Sequence, residues 1–391
     1  MIFHELPKEF INVFSNLENR GFQFTLVGGA VRDYLLNKKL EKDLDFEIRH
    51  NLSAQVEWNF HFLQIKNFLT EQNIAFEELP YKIIRFELYN FSIELTTPRI
   101  EMFKEQLGHH NFDALIDSNL SYAESFKRRD FSINAIGFEL TFTDLSYKLI
   151  DPYLGEIDLK NKILRNITND FYKDPVRFLR LIRFKHLLNF SIDNEILKNM
   201  GQFDLTEMTA HYFRIEMEKI SVSQFMNSFI FYTKKYDIKL PLLLQKLKSI
   251  NAELAHLESI ETLFFELLKI DSKMASDLAT YLSFPKKELK ILIEINQKLN
   301  SRSSDQVFNL DKLKNLSFDS FKNEQNVELI KYLATKTREL SKLKKCLDLS
   351  DHQLKFLNEL NDFKCDLNEV GLNDRSYFKI FRFVKESNYE S

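Results

Sequence analysis

The sequence predicts an α+β fold: a head built on a small mixed or antiparallel sheet, followed by an all-α neck, body and tail. Short runs rich in aromatic and β-branched residues, such as FQFTLV (22–27) and FSIELTT (91–97), are confined to about the first 150 residues. Beyond them, apolar residues recur at helical spacing, as in FYKDPVRFLRLIRF (171–184) and LFFELLKI (263–270). Glycine is scarce, 8 in 391 residues, which suits helices joined by few glycine turns. A chain of this length with 44% hydrophobic content supports more than one core. The expected domains are a head over 1–150, a helical neck over 151–220, and a body and tail over 221–391.

A net charge of −3 gives no bulk signal for nucleic-acid binding, so any basic surface must be local. The two cysteines, Cys346 and Cys365, form neither a disulfide framework nor a zinc set, and a reducing cytoplasm is the natural setting. The start, MIFHELPKEFINVF, lacks a basic segment followed by a long apolar one, and no run approaches the roughly 18 apolar residues of a membrane span. A soluble, unprocessed, cytoplasmic chain with no membrane contact and no stable protein partner is expected.

Phe10, Val13, Phe14 and Leu17 fall at helical spacing, predicting an amphipathic helix within residues 1–21. A strand over 22–27 then ends on Gly28-Gly29, a helix follows over 30–36, and a second strand opens at Asp43-Leu44-Asp45. Alternation puts Asp43 and Asp45 on one face while Leu44 and Phe46 enter the core. Two adjacent carboxylates are costly without a cation, unless they mark a solvated strand end. Oxygen-only ligands suit Mg2+, which is used with a couple of carboxylates and substrate phosphates, and this points to phosphoryl or nucleotidyl transfer. Glycine backbone lets a triphosphate approach a helix start, and Arg32 lies one turn into that helix.

A helix over 53–72 precedes strands at 82–89 and 91–97 that turn tightly at Asn90. In the second of them Ser92, Glu94 and Thr96 share a face, making Glu94 a candidate third carboxylate or an ordinary polar residue of a half-exposed strand. Residues 97–124 read as a long loop, and His109-His110 within it lack acids or cysteines at ligand spacing. In KRRDFSINAIGFEL (127–140), Arg128 and Arg129 can pair with phosphate oxygens, while Asp130 and Asn134 can bond a ribose; a surface ion-pair cluster is the plain alternative. LIDPYLGEIDLKNKILR (149–165) reads as a connector turning at Pro152 and Gly155. In the next helix Pro175 suits the first turn with Asp174 before it, and Phe178, Leu179 and Ile182 gather opposite Asp174, Arg177 and Arg180. Residues 160–189 hold eight Lys or Arg against two acids, so this face is locally positive. Arg214 and Glu218 lie one helical turn apart.

Gly-Gly, thirteen residues, then Asp-apolar-Asp resembles the signature of the DNA polymerase β-like nucleotidyltransferase superfamily. The fuller string GGAVRDYLL resembles one branch, the class II tRNA nucleotidyltransferases and bacterial poly(A) polymerases. The segments at 127–140, 149–165, 171–190 and 211–220 resemble the second to fifth motifs of that branch, in order. The resemblance implies addition of C, C and A to the tRNA 3′ end from CTP and ATP, without a nucleic-acid template. It implies Asp43 and Asp45 as catalytic ligands of Mg2+, with Glu94 as a further catalytic acid. The implied nucleotide-binding residues are Gly28, Gly29, Arg32, Arg128, Arg129, Asp130, Asn134, Asp174, Arg177, Arg180 and Arg183. Among these, Asp174 and Arg177 would read the base. Cytosine and adenine both present an amino donor beside a ring-nitrogen acceptor, whereas uracil and guanine reverse that order and leave buried groups unpaired. Arg180 and Arg183 would face the triphosphate, and the 98–124 loop would serve the change from C to A addition. Many relatives carry Glu before this Asp, where this chain has Lys173. A poly(A) polymerase, a partial CC-adding or A-adding enzyme and an inactive RNA-binding module are the alternatives, the last weakened by the presence of both carboxylates.

Overall fold

In the computed structural model, which describes residues 2–37, 39–52, 57–103, 112–251, 253–254, 257, 260–286, 289–290 and 292–293, the early alternating segments build one seven-stranded mixed sheet. In chain order the head runs through α1 (Lys8–Glu18), β1 (Phe22–Val27), α2 (Gly29–Asn37), β2 (Asp43–His50) and α3 (Trp58–Glu71). Then come β3 (Phe76–Leu79), β4 (Ile83–Leu88), β5 (Phe91–Thr96), β6 (Arg99–Phe103) and β7 (Phe112–Ile116), followed by α4 (Tyr122–Phe126), β8 (Gly137–Thr141) and β9 (Ser146–Ile150). Sheet order is β3-β4-β5-β2-β1-β8-β9, with β2 and β5 parallel and every other pair antiparallel. Tyr89 and Asn90, at φ 51° and 68°, make the tight turn between β4 and β5, a conformation whose twist matches hairpin strands.

Phenylalanine fills the layer between α1 and the sheet. Phe14 stacks on Phe142 at 4.8 Å and meets Phe24 edge-on at 4.9 Å, while Phe10 stacks on Phe14 at 4.7 Å. Val13, expected on this face, is only half-buried, because the three larger positions Phe10, Phe14 and Leu17 already cover the contact.

Where it is described, the long loop expected over 97–124 is instead largely strand and helix. β6 and β7 form their own antiparallel pair, from Arg99 opposite Ile116 to Phe103 opposite Phe112. α4 opens with a capping box in which Ser121 and Glu124 satisfy each other's backbone NH groups. Among the described residues the pair has no partner strand in the main sheet, and apart from the buried Arg99 its residues are half-exposed or exposed, so RIEMF and FDALI carry little of the apolar alternation that marks a buried strand. Gly108, His109 and His110 lie outside the described residues.

After the sheet come α5 (Gly155–Asn161), β10 (Ile163–Leu164), α6 (Pro175–Leu187), β11 (Ser191–Ile192) and α7 (Asn194–Asn199), with β10 and β11 paired in parallel. These elements form one compact unit with the head, Met1–Met208 plus Tyr236–Lys239. The second unit comprises Thr209–Lys235 and the chain from Leu240 onward. It contains α8 (Ala210–Glu218), α9 (Val222–Lys235), α10 (Ile260–Ile270) and α11 (Ser272–Tyr281). There Phe213 is met edge-on by Phe225 and Phe229, and Arg214 pairs with Glu218 at 2.9 Å on an exposed face, worth a few tenths of a kcal/mol. Cys346 and Cys365 lie outside the described residues. No described helix is long and apolar enough to cross a membrane.

The connector holds one glycine by close approach. Asp151 caps α5 by accepting from the NH groups of Gly155 at 2.7 Å and Glu156 at 2.9 Å. A Cβ at Gly155 would lie 2.2 Å from the Ser132 carbonyl oxygen and 2.7 Å from Ile136 Cγ1. Gly155→Ala is therefore expected to destabilise the first unit by about 1–3 kcal/mol, read as a lower urea midpoint. An unchanged midpoint would mean that α5 shifts away at no cost.

Candidate nucleotide-transfer site

Strand alternation delivers the two acids. Leu44 and Phe46 are buried beneath β2, while Asp43 and Asp45 stand open on its other face. Gly28 closes β1 beside them with φ 79°, a left-handed value that disfavours a side chain. A Cβ there would sit 3.0 Å from Arg129 Nη1 and 3.8 Å from Asp45 Oδ2, so this turn, this guanidinium and this carboxylate share one small space. Burial raises the carboxyl pKa of Asp45; the Arg129 and Arg128 guanidiniums lower it, and the Glu94 and Asp43 carboxylates raise it further. Asp45 is thus open to solvent yet hemmed in by protein.

Glu94 is registered directly opposite Asp45 across the parallel β2–β5 pair. Its carboxylate, however, accepts from Arg85 Nε at 2.8 Å, and it is not gathered with the pair. Among the described residues no group of three or more metal-ligating side chains comes together.

A line of hydrogen bonds joins segments far apart in sequence. Arg32, on α2, donates to both carboxylate oxygens of Asp33 at 2.8 and 2.7 Å and to Asn134 Oδ1 at 2.8 Å. Asn134 donates in turn to Asp130 Oδ1 at 2.8 Å, which also accepts from the Phe131 NH at 2.9 Å. The other oxygen of Asp130 accepts from Arg180 Nε, on α6, at 2.6 Å. Burial alone would push the Asp130 carboxyl pKa up, but Arg180 and the Asn134 hydrogen bond prevail and bring it to about 2. Arg129 donates to the Asn134 carbonyl at 3.2 Å. Burial lowers the pKa of both arginines of the Arg128-Arg129 pair; like charges on Arg99 and Arg129 take Arg128 to about 9, and Glu47 and Asp45 oppose the shift of Arg129.

α6 buries basic residues together with its apolar face. Arg177 and Arg183 are buried along with Phe178, Leu179 and Ile182, because the Arg128–Asn134 segment covers that side. Asp174 caps α6 by accepting from the Val176 NH at 2.9 Å. Its second oxygen lies 3.7 Å from Arg177 Nε, and Arg177 Nη2 donates to the Arg128 carbonyl at 2.7 Å. Gly28, Gly29, Arg32, Arg128, Arg129, Asp130, Asn134, Arg177 and Arg180 therefore belong to one connected neighbourhood running from the β1–α2 turn to α6.

Residues 24–165 match the family described as the poly A polymerase head domain. A CCA-adding enzyme of Francisella tularensis subsp. tularensis is 28% identical over 329 residues, 79% of this chain and 85% of the relative. A multifunctional CCA protein of Aliivibrio salmonicida is 32% identical over 220 residues, 54% of this chain and 49% of the relative. The crystal structure of the Bacillus stearothermophilus CCA-adding enzyme in complex with CTP shares the fold at a TM-score of 0.53 and 18% identity, covering 81% of this chain and 75% of that one. The chain is thus similar to CCA-adding enzymes over most of its length, and its residues 24–165 match the poly A polymerase head domain.

Nucleotidyltransferases of this family generally use a divalent metal, and the residues present fit one. Asp43 and Asp45 offer two open carboxylates side by side, and burial, with smaller additions from Glu94 and Asp43, raises the pKa of Asp45, a cost to its charged form that a hard cation would offset.

Sequence reasoning missed several residues of this neighbourhood. Asp33 clamps Arg32, although neighbours on a helix do not normally face each other; the length of the arginine side chain allows it. Glu47 continues the alternating row of Asp43 and Asp45 and was readable from that spacing. It is buried and accepts from Arg49 Nη2 at 2.6 Å and Ser125 Oγ at 3.1 Å. Glu101 and Phe103 of β6 were hidden in the presumed loop; Glu101 accepts from Arg99 at 2.8 Å, and the Arg177 guanidinium lies 5.4 Å from the Phe103 ring centre.

The Asp130 pair has a pH signature. Its folded pKa of about 2 lies below the ordinary 3.8, so the pair's contribution is complete above the unfolded pKa and is lost as pH falls toward 2. The linked stability is on the order of 2 kcal/mol. Asp130→Asn is expected to be less stable at neutral pH and to lose less of its remaining stability between pH 4 and pH 2 than the parent. Urea denaturation across that range reads both, and parallel pH profiles for the two proteins would contradict the assignment.

Proposed function

We propose that this chain is a template-independent tRNA nucleotidyltransferase that adds C, C and A to the tRNA 3′ end from CTP and ATP in the cytoplasm. The reading is supported most by the convergence on one side of the sheet of the carboxylate pair, the Gly28 turn and the Arg32-to-Arg180 hydrogen-bond line. The names of its relatives point the same way. A structure similar to it, a tRNA nucleotidyltransferase complexed with a primer tRNA and an incoming ATP analog, has a TM-score of 0.50 and 21% identity, covering 90% of this chain and 99% of that one.

In this reading Asp43 and Asp45 hold Mg2+, with Glu94 available as a further acid if Arg85 releases it. When bound, Mg2+ favours the nucleophilic form of the primer 3′ hydroxyl and offsets the charge of the departing pyrophosphate. The chain's own residues position. The Gly28-Gly29 turn leaves room for the phosphates and the start of α2 at Gly29 presents backbone NH groups to them, with Arg32, Arg128, Arg129, Arg180 and Arg183 as their cationic neighbours. Asp130 and Asn134 bond the ribose. Asp174 and Arg177, fixed by the α6 cap and by the Arg128 carbonyl, read the donor-acceptor edge shared by cytosine and adenine. The β6–β7 pair reaches Arg177 through Phe103, which makes it the segment suited to adjusting the reader between pyrimidine and purine.

Purified protein given tRNA transcripts ending before or within CCA, with each labelled nucleotide in turn, tests the reading directly. Ordered incorporation of two C and one A is expected; a long homopolymer of A would instead make it a poly(A) polymerase, and a stop after CC a partial enzyme. Asp43→Ala and Asp45→Ala should each abolish incorporation of both nucleotides while tRNA binding survives, since phosphate contacts elsewhere set that affinity. Near-normal turnover of either nucleotide would exclude a single shared site. Arg177→Ala should raise misincorporation of UTP or GTP as well as slow the reaction, whereas Arg32→Ala should slow all nucleotides alike. A slow but equally selective Arg177→Ala enzyme would leave that arginine a purely structural partner of Asp174.

A further inference from the structure

Three guanidinium groups converge on a single buried phenyl ring. The Cζ atoms of Arg183, Arg32 and Arg180 lie 4.1, 4.8 and 5.4 Å from the centre of Phe184, which is 2% exposed. Arg32 comes from α2, whereas Arg180 and Arg183 share α6 with the ring. Phe131, the residue after Asp130, meets Phe184 edge-on at 5.7 Å and fixes its plane.

We propose that Phe184 is a positioning residue, a shared cation-π platform that holds Arg32, Arg180 and Arg183 together for the triphosphate of the incoming nucleotide. The proposal rests on the reading that these arginines face that triphosphate. Like charges gathered in a partly buried space repel, and something must hold them in place before the substrate arrives. Asp33 and Asp130 each answer one of them, Arg32 and Arg180, through hydrogen bonds. A further carboxylate would steady the cluster but would compete with the phosphates for the same donors. The negative face of an aromatic ring attracts guanidinium without presenting a hydrogen-bond acceptor, so it draws the cations together without itself competing with the phosphates for their donors. Because the platform acts on the phosphate side and not on the base, its loss should affect CTP and ATP equally and leave base selection intact.

The test grades the ring while preserving its shape. Phe184 is replaced by a trifluorinated phenylalanine, which withdraws charge from the ring face at nearly constant volume, and separately by Leu. Binding of inorganic tripolyphosphate to the full chain and KM for CTP and ATP are measured alongside thermal unfolding. Tripolyphosphate affinity and both KM values should worsen together, by roughly five- to thirtyfold for Phe184→Leu and by less for the fluorinated ring, with unchanged discrimination against UTP and GTP. Phe184→Tyr, which keeps an aromatic face, should stay near the parent. If the fluorinated protein binds tripolyphosphate as the parent does, Phe184 is a packing residue and the proposal fails, whatever Phe184→Leu does to stability. Arg32→Ala and Arg183→Ala serve as the control: if they too bind tripolyphosphate like the parent, the triphosphate reading itself falls and takes the platform with it.

Discussion

A buried carboxylate must find a partner for each of its oxygens, and in this protein Asp130 finds them in three places at once. Its own following NH, the Asn134 amide and the Arg180 guanidinium all donate to it. Through Asn134 the same acid reaches Arg32 on α2, and through Arg180 it reaches α6. Removing one charge from such an arrangement leaves the other buried and unanswered, which is why breaking buried pairs is far more damaging than exposed ones. The geometry around the β1–α2 turn therefore depends on α6 being seated against the Arg128–Asn134 segment.

The head of the fold was legible where local pattern and tertiary role agree. FQFTLV reads as a strand from its aromatic and β-favouring residues and is buried along nearly its whole length, while the Asp-Leu-Asp-Phe alternation obeys a period that its environment also demands, with Leu44 and Phe46 buried and Asp43 and Asp45 open. The β4–β5 turn was legible for the same reason, because Asn tolerates the positive φ that a tight hairpin needs. RIEMF and FDALI were not, since their inner faces are only partly buried and β6 places Arg99 and Glu101 there where an apolar residue would have marked a strand. The two-residue β10 and β11 are fixed by α6 and its surroundings and carry no signal of their own.

Within the site, the sequence named residue types better than contacts. Asp174 and Arg177 stand close together as their spacing implies, and Asp174 caps the helix as its place before Pro175 suggests, but the bond from Arg177 to the Arg128 carbonyl is one that no motif reports. Glu94 occupies the expected register beside Asp45, yet its bond to Arg85 comes from the neighbouring strand, where Arg85 and Glu94 face each other as a cross-strand pair. The basic stretch of α6 read as locally positive, and its arginines are set against Asp130, Phe184 and the Arg128 carbonyl, contacts that come from other segments or from tertiary placement and that no spacing reports.

The parallel alignment of β2 with β5 sets the order of events when the chain first folds. Parallel neighbours cannot be joined by a hairpin, so α3, β3 and β4 must be threaded between them before Asp45 and Glu94 come level. The β4–β5 hairpin and α1 can form from contacts near in sequence, whereas the central β2–β5 pairing closes a large loop and is kinetically costly. A nascent chain thus carries its acidic strand for some time without the neighbour that completes its register. Acceleration of refolding is to be sought in residues of α3, whose docking shortens the search for that neighbour, and not in the acids themselves.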